Sequence, residues 1–244
     1  MAYRIPLEEL ARLPSFYLPT LSWKRDKLAF YWDKTGRLEL YVMELSDRKP
    51  RQLSHGEVPR TLRAGFIWDR DDETIIFAKD KEGNEQHDLY QIDTKTEKVK
   101  QLTDDPKCQE YPVEVSPDKK WLTVLTNKRG QLNLFKMKLD GSEYVQLTDY
   151  KNPVFGGGIW SPDGEFITYN VNESPDLNNM DVYVMRADGN EKRRVLRVKE
   201  GSKDSVSDWS PDGRYLAVTS DASGVNRPGL LDLKSGQVRW LGEE

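Results

Sequence analysis

Apolar and polar residues alternate along this chain in short runs, each closed by a turn signal, and this spacing is that of β-strands rather than helices. In Glu165 to Val171, Phe166, Thr168 and Asn170 fall on one face and Ile167, Tyr169 and Val171 on the other. Before it, Val154 to Trp160 reads as a first strand and Ser161-Pro162-Asp163-Gly164 as a tight turn. Proline presets φ there, aspartate bonds local backbone, and glycine takes the left-handed residue that closes the turn. Met180 to Arg186 and Arg193 to Val198 read as third and fourth strands, with Asp188-Gly189 starting the turn between them. The one helical candidate is Pro6 to Leu13: Pro6 suits a first helical position, Leu7, Leu10 and Ala11 share a face, and Pro14 stops it.

The unit recurs. Trp160-Ser161-Pro162-Asp163-Gly164 returns as Trp209-Ser210-Pro211-Asp212-Gly213, more weakly as Val115-Ser116-Pro117-Asp118, and in decayed form as Trp68-Asp69-Arg70-Asp71. Trp23 is read as the first member, giving intervals of 45, 47, 45 and 49 residues. Third strands align through Tyr41, Tyr90, Phe135 and Tyr183, and fourth strands through Leu53, Leu102, Leu147, Leu196 and Leu241. A period in this range with four strands per unit predicts propeller blades. The expected architecture is all-β: an extension over 1–18 with a short N-terminal helix, then a β-propeller over 19–244. Its five four-stranded blades fall at about 19–54, 63–105, 111–150, 154–198 and 205–244. Stacking buries blade faces, so Trp23, Trp68, Trp160 and Trp209 are expected between neighbouring blades.

Composition narrows the function. The 244 residues carry 37 basic and 41 acidic side chains, a net charge of −4, which argues against a nucleic-acid surface. No apolar run approaches the length of a membrane span, and the first residues lack the apolar core of a secretory leader, so a cytoplasmic location is expected. A single cysteine, Cys108, rules out an intramolecular disulfide. No cofactor or metal is implied: Asp69 to Glu73 fails the calcium-loop pattern, and Gly156-Gly157-Gly158 precedes a strand, where it is expected to let backbone pass close to the channel axis.

Blades with Trp-Ser-Pro-Asp-Gly turns resemble two groups: the propeller of the prolyl oligopeptidase superfamily of serine peptidases, and the TolB-like periplasmic propellers. Two further stretches are similar to the acylaminoacyl-peptidase-like branch of the first group. One is the opening, Tyr3 to Leu10 through Leu21-Ser22-Trp23 and Phe30 to Asp33; the other is Gly83 to Tyr90. In those peptidases a hydrolase domain follows the propeller, with its nucleophile in a Gly-x-Ser-x-Gly elbow. This chain has no such elbow and only two histidines, His55 and His87, so no triad is expected. The resemblance therefore implies a non-catalytic, substrate-gating propeller without the hydrolase domain. Its partner would be a peptide or protein, a serine hydrolase domain being one candidate. A free-standing TolB-like interaction propeller is the alternative. Family propellers usually have seven blades against five here; a closed five-blade ring is expected, because an open stack invites self-association.

Candidate contacts follow from where propellers carry them. The long connection between the second and third strands of the fourth blade holds Asn172, Glu173, Asp176, Asn178 and Asn179, a set suited to binding or simply to turns. The corresponding loop of the second blade carries Glu85 and His87, the latter also readable as an exposed titrating group. Arg63, Glu114 and Asp208 are polar members of the channel-lining first strands. Glu114 and Asp208 sit at equivalent positions, and such a pair could serve glycoside hydrolysis, the rival enzymatic reading.

Overall fold

The computed structural model describes residues 6, 7, 9, 13–60 and 65–242. Twenty strands form five antiparallel sheets in which each strand pairs only with its neighbours in the chain. The first blade holds β1 (Phe16–Leu21), β2 (Lys27–Trp32), β3 (Glu39–Glu44) and β4 (Arg51–Gln52). The second holds β5 (Phe66–Trp68), β6 (Thr74–Asp80), β7 (His87–Asp93) and β8 (Val99–Gln101). The third holds β9 (Glu110–Val115), β10 (Trp121–Thr126), β11 (Asn133–Lys138) and β12 (Tyr144–Gln146). The fourth holds β13 (Val154–Trp160), β14 (Phe166–Val171), β15 (Asp181–Arg186) and β16 (Arg193–Leu196). The fifth holds β17 (Ser205–Trp209), β18 (Tyr215–Ser220), β19 (Arg227–Asp232) and β20 (Val238–Trp240). The protein is a five-bladed β-propeller.

Four of the five turns after a first strand are built around a serine, while the second blade has Asp69 in its place and keeps the backbone bonds. Ser161 Oγ accepts the Phe166 N–H at 2.9 Å and donates to Asp163, while Gly164 N–H returns to the Ser161 carbonyl at 2.8 Å. Ser116 and Ser210 repeat the arrangement with Trp121 and Tyr215, and Ser22 likewise accepts the Lys27 N–H but donates to Asp26, four residues on rather than two. The fourth turn residue has positive φ throughout: Arg25, Asp72, Lys119, Gly164 and Gly213. This register corrects the alignment of the first blade. Ser22 matches Ser161, so Leu21 stands at the indole position of Trp68, Trp160 and Trp209, and Trp23 stands at the turn's proline position. The three true equivalents are buried, but Trp23 is 43% exposed. Trp68 donates its indole N–H to the Thr20 carbonyl of the blade before it, and Trp209 to Ile159, each at 3.1 Å.

The core lies between blades. Ala29, Leu40 and Leu53 of the first blade pack on Ile75 and Phe77 of the second, and the pattern repeats at three more junctions. Among the described residues, no strand of the first blade packs against the fifth as consecutive blades pack. The expected closed ring is therefore not what the structure shows.

Other differences are local. β1 begins at Phe16, inside the segment read as an extension, because Pro19 and a left-handed Leu18 disguise a bulged strand paired to β2. Of the expected helix, Leu7 and Glu9 are helical and the Glu9 N–H bonds the Pro6 carbonyl; residues 8 and 10–12 lie outside the described residues. The close approach at Gly157 is to its own sheet rather than the channel axis: φ is +71°, and a Cβ would lie 2.4 Å from Tyr169 Cα. Among the described residues no helix is long and apolar enough to cross a membrane.

Candidate functional site

First strands end at the turns, and the loops between second and third strands lie at the opposite ends of the blades. The candidate residues therefore divide between two rims. Glu114 and Asp208 belong to the turn rim; Glu85, His87 and the residues of 172–179 belong to the loop rim. Arg63 lies outside the described residues.

On the loop rim most of the candidate polar groups are engaged within the protein. Asn172 donates to the Asp176 carbonyl at 2.8 Å and accepts from the Ser174 N–H at 2.8 Å. Asn179 accepts from the Gly201 N–H, Asp176 from the Asn178 N–H, and Tyr183 donates its hydroxyl to Glu173. This loop is a self-bonded structural element. The Glu85 carbonyl accepts from Gln109, and the Glu85 backbone is left-handed. His87 is buried with its ring 5.4 Å from that of Tyr111, which corrects the reading of it as an exposed titrating group. Beside it Glu110 is fully buried, accepts the Tyr144 hydroxyl at 2.9 Å, and has its carboxyl pushed up by that burial.

On the turn rim the groups converge across blades. Arg70 occupies the turn's proline position in the second blade. Its guanidinium lies 3.5 Å from the centre of the Trp23 ring, donates to the Val115 carbonyl at 2.9 Å and pairs with Glu114 at 3.3 Å. The other Glu114 oxygen accepts the Trp160 N–H at 2.6 Å. One chain of contacts thus ties four blades together. Asp72 adds to it by accepting the N–H groups of Trp23 and Lys24 at 2.6 and 2.9 Å. Burial pushes the Glu114 carboxyl up to about 7; the Trp160 N–H and Arg70 oppose this, and the charge of Asp208 adds to it. Asp208 is exposed and accepts its own blade's Trp209 N–H at 2.8 Å, so it does not take up the inter-blade bond that Glu114 makes.

Next to this belt opens a cavity of about 420 Å³, lined among others by Leu21, Trp23, Arg25, Ile67, Val113 and Glu114. It combines an apolar floor, a half-exposed indole and charges of both signs. Trp23 and Arg70 were missed as site residues from sequence. The signal was present, since both break the Ser-Pro-Asp-Gly pattern at the position where other blades carry proline. Among the described residues no three His, Cys, Asp or Glu side chains gather as a metal site would require.

Solved structures with this fold include TolB from Acinetobacter baumannii, at TM-score 0.71 and 17% identity over 94% of this chain and 55% of that one. A puromycin-hydrolyzing peptidase of Mycobacterium tuberculosis matches at TM-score 0.75 and 15% identity, over 96% of this chain and 38% of the peptidase. In sequence, the uncharacterized protein Atu1656 of Agrobacterium fabrum is 24% identical over an alignment 202 residues long that covers 79% of this chain and 63% of the relative. The chain thus spans less than two thirds of each of these relatives. The model of the TolB beta propeller domain matches residues 15–174, well over half of the sequence, and the chain belongs to that family.

Proposed function

We propose that this chain is a non-catalytic propeller that binds a peptide, or an extended segment of a protein, at the turn-rim mouth of its channel. The observation that carries the reading is the cavity beside the Trp23–Arg70–Glu114 belt, where a half-exposed indole and apolar side chains meet charges of both signs. Such a surface suits a chain that offers side chains and backbone together. Glu114 argues against turnover. Both its oxygens are held, one by Arg70 and one by the Trp160 N–H, which leaves it poorly placed to move a proton to substrate. Because a peptidase of known structure contains a propeller of this fold, a hydrolase domain is one candidate protein partner.

Purified protein incubated with acyl-amino-acid nitroanilides, peptide nitroanilides and aryl glycosides is expected to release no product. Immobilised protein is expected to enrich members of a random peptide pool, and Trp23→Ala to lose that enrichment while staying folded, at a stability cost of only about 1 kcal/mol. Glycoside turnover abolished by Glu114→Gln would establish the catalytic reading instead.

A further inference from the structure

On the turn rim a cation and a carboxylate face each other while separate partners hold each in place. Arg70 Nε donates to the Val115 carbonyl at 2.9 Å, and the guanidinium lies 3.5 Å from the centre of the Trp23 ring. The ion pair is left to another atom, Nη2, which stands 3.3 Å from Glu114 Oε1. On the far side of the carboxylate, Oε2 accepts the Trp160 N–H at 2.6 Å. Arg70, Glu114 and Trp160 stand on the second, third and fourth blades, each of which packs against a blade on both sides. Their geometry is set within these residues, whatever lies beyond them.

The two oxygens of Glu114 are unequal. The bond at Oε2 is short and comes from backbone that cannot turn away, so a proton added to the carboxylate goes to Oε1. There it removes the acceptor that faces Arg70. The guanidinium does not follow, because the Val115 carbonyl and the Trp23 ring keep it where it is. Protonation thus leaves a fixed cation, its side chain 18% exposed, beside the cavity that Glu114 itself lines. The charges acting on Glu114 are Arg70, from the second blade, and Asp208, from the fifth. The fourth blade presents the Trp160 N–H, and β10 the Thr123 hydroxyl, which serves the Glu114 carbonyl at 3.0 Å. Arg25 lines the same cavity from the first blade. Burial holds the Glu114 carboxyl at about 7, so its change of charge falls in the neutral range.

We propose that Glu114 and Arg70 form a proton-operated selector: with Glu114 neutral, Arg70 is released to bind a carboxylate of the peptide, and with Glu114 ionised that carboxylate is refused. The selector presupposes the peptide site at this cavity and gives it a class of ligand, an acidic segment, and a condition for binding it. A bound carboxylate favours the protonated form, so affinity for it rises as pH falls through 7 and is lost above. The floor of Leu21, Ile67 and Val113 suits an apolar side chain next to that carboxylate. An Asp or Glu side chain or a free C-terminus supplies the same group.

The test is to incubate immobilised parent and Glu114→Gln with random peptide pools at pH 5.5 and 8.5, one pool with free and one with amidated C-termini. The parent is expected to favour carboxylate-bearing over neutral peptides about tenfold more at the lower pH. A preference kept in the amidated pool assigns a side chain, and one lost there assigns the C-terminus. Glutamine keeps an acceptor for the Trp160 N–H and never ionises, so Glu114→Gln is expected to show the preference at both pH values. Arg70→Gln is expected to show it at neither, and serves if the first variant folds poorly by circular dichroism. Peptides enriched alike at both pH values, with no preference for carboxylates, would overturn the selector and leave the peptide site standing. A pH-dependent preference unchanged in Glu114→Gln would overturn it as well, and no enrichment from either pool would overturn both.

Discussion

Glu114 sits at the meeting point of three blades, and its protonation couples directly to stability. Its folded carboxyl titrates at about 7, above the ordinary glutamate value of 4.5, because burial penalises the charge. A folded value above the unfolded one means that the stabilisation is complete below about 4.5 and is lost as pH rises through 7. The span corresponds to about 3 kcal/mol. Thermal melts are therefore expected to lose stability between pH 5 and 8, and Glu114→Gln to flatten that dependence. An unchanged slope in the variant would place the titrating group elsewhere. At the same scale, Gly157→Ala forces a side chain into the Tyr169 backbone at positive φ and is expected to cost more than about 3 kcal/mol in urea unfolding.

Strands and turns show what the sequence made legible. Alternation placed the four strands of the fourth blade, and the Ser-Pro-Asp-Gly turns with the recurring aromatic and leucine located the other blades, because a side-chain hydroxyl bonding five residues on leaves a fixed sequence trace. Trp23 misled, since an indole two residues past the true position satisfied the spacing without satisfying the turn's hydrogen bonds. In the third strand of the last blade the aromatic gives way to Gly229, and the space is filled from β20 by Trp240, whose ring lies 2.8 Å from where a Cβ would stand. No local pattern announces such an exchange between strands. The corrected register predicts a contrast in denaturant unfolding: Trp68→Ala removes a buried indole and an inter-blade hydrogen bond, costing roughly 3–5 kcal/mol, against about 1 kcal/mol for Trp23→Ala. Equal costs would contradict the register.

At the scale of the whole molecule, the chain is a fan of blades held by neighbour contacts, with one rim self-bonded and the other gathering charge and an open indole around a cavity. The sequence alone favoured the loop rim, because Asn, Asp and Glu clusters look like ligands; the hydrogen bonds that occupy Asn172, Asp176 and Asn179 lie in three dimensions. The turn-rim site was hidden because its members come from separate blades, Trp23, Arg70 and Glu114 meeting only when the blades stack. The central claim is that binding occurs at this rim. Hydrogen exchange of the protein with and without a peptide enriched on it tests that claim directly. Protection is predicted at residues 20–25, 67–70 and 113–115, and protection confined to 81–87 and 172–179 would contradict it.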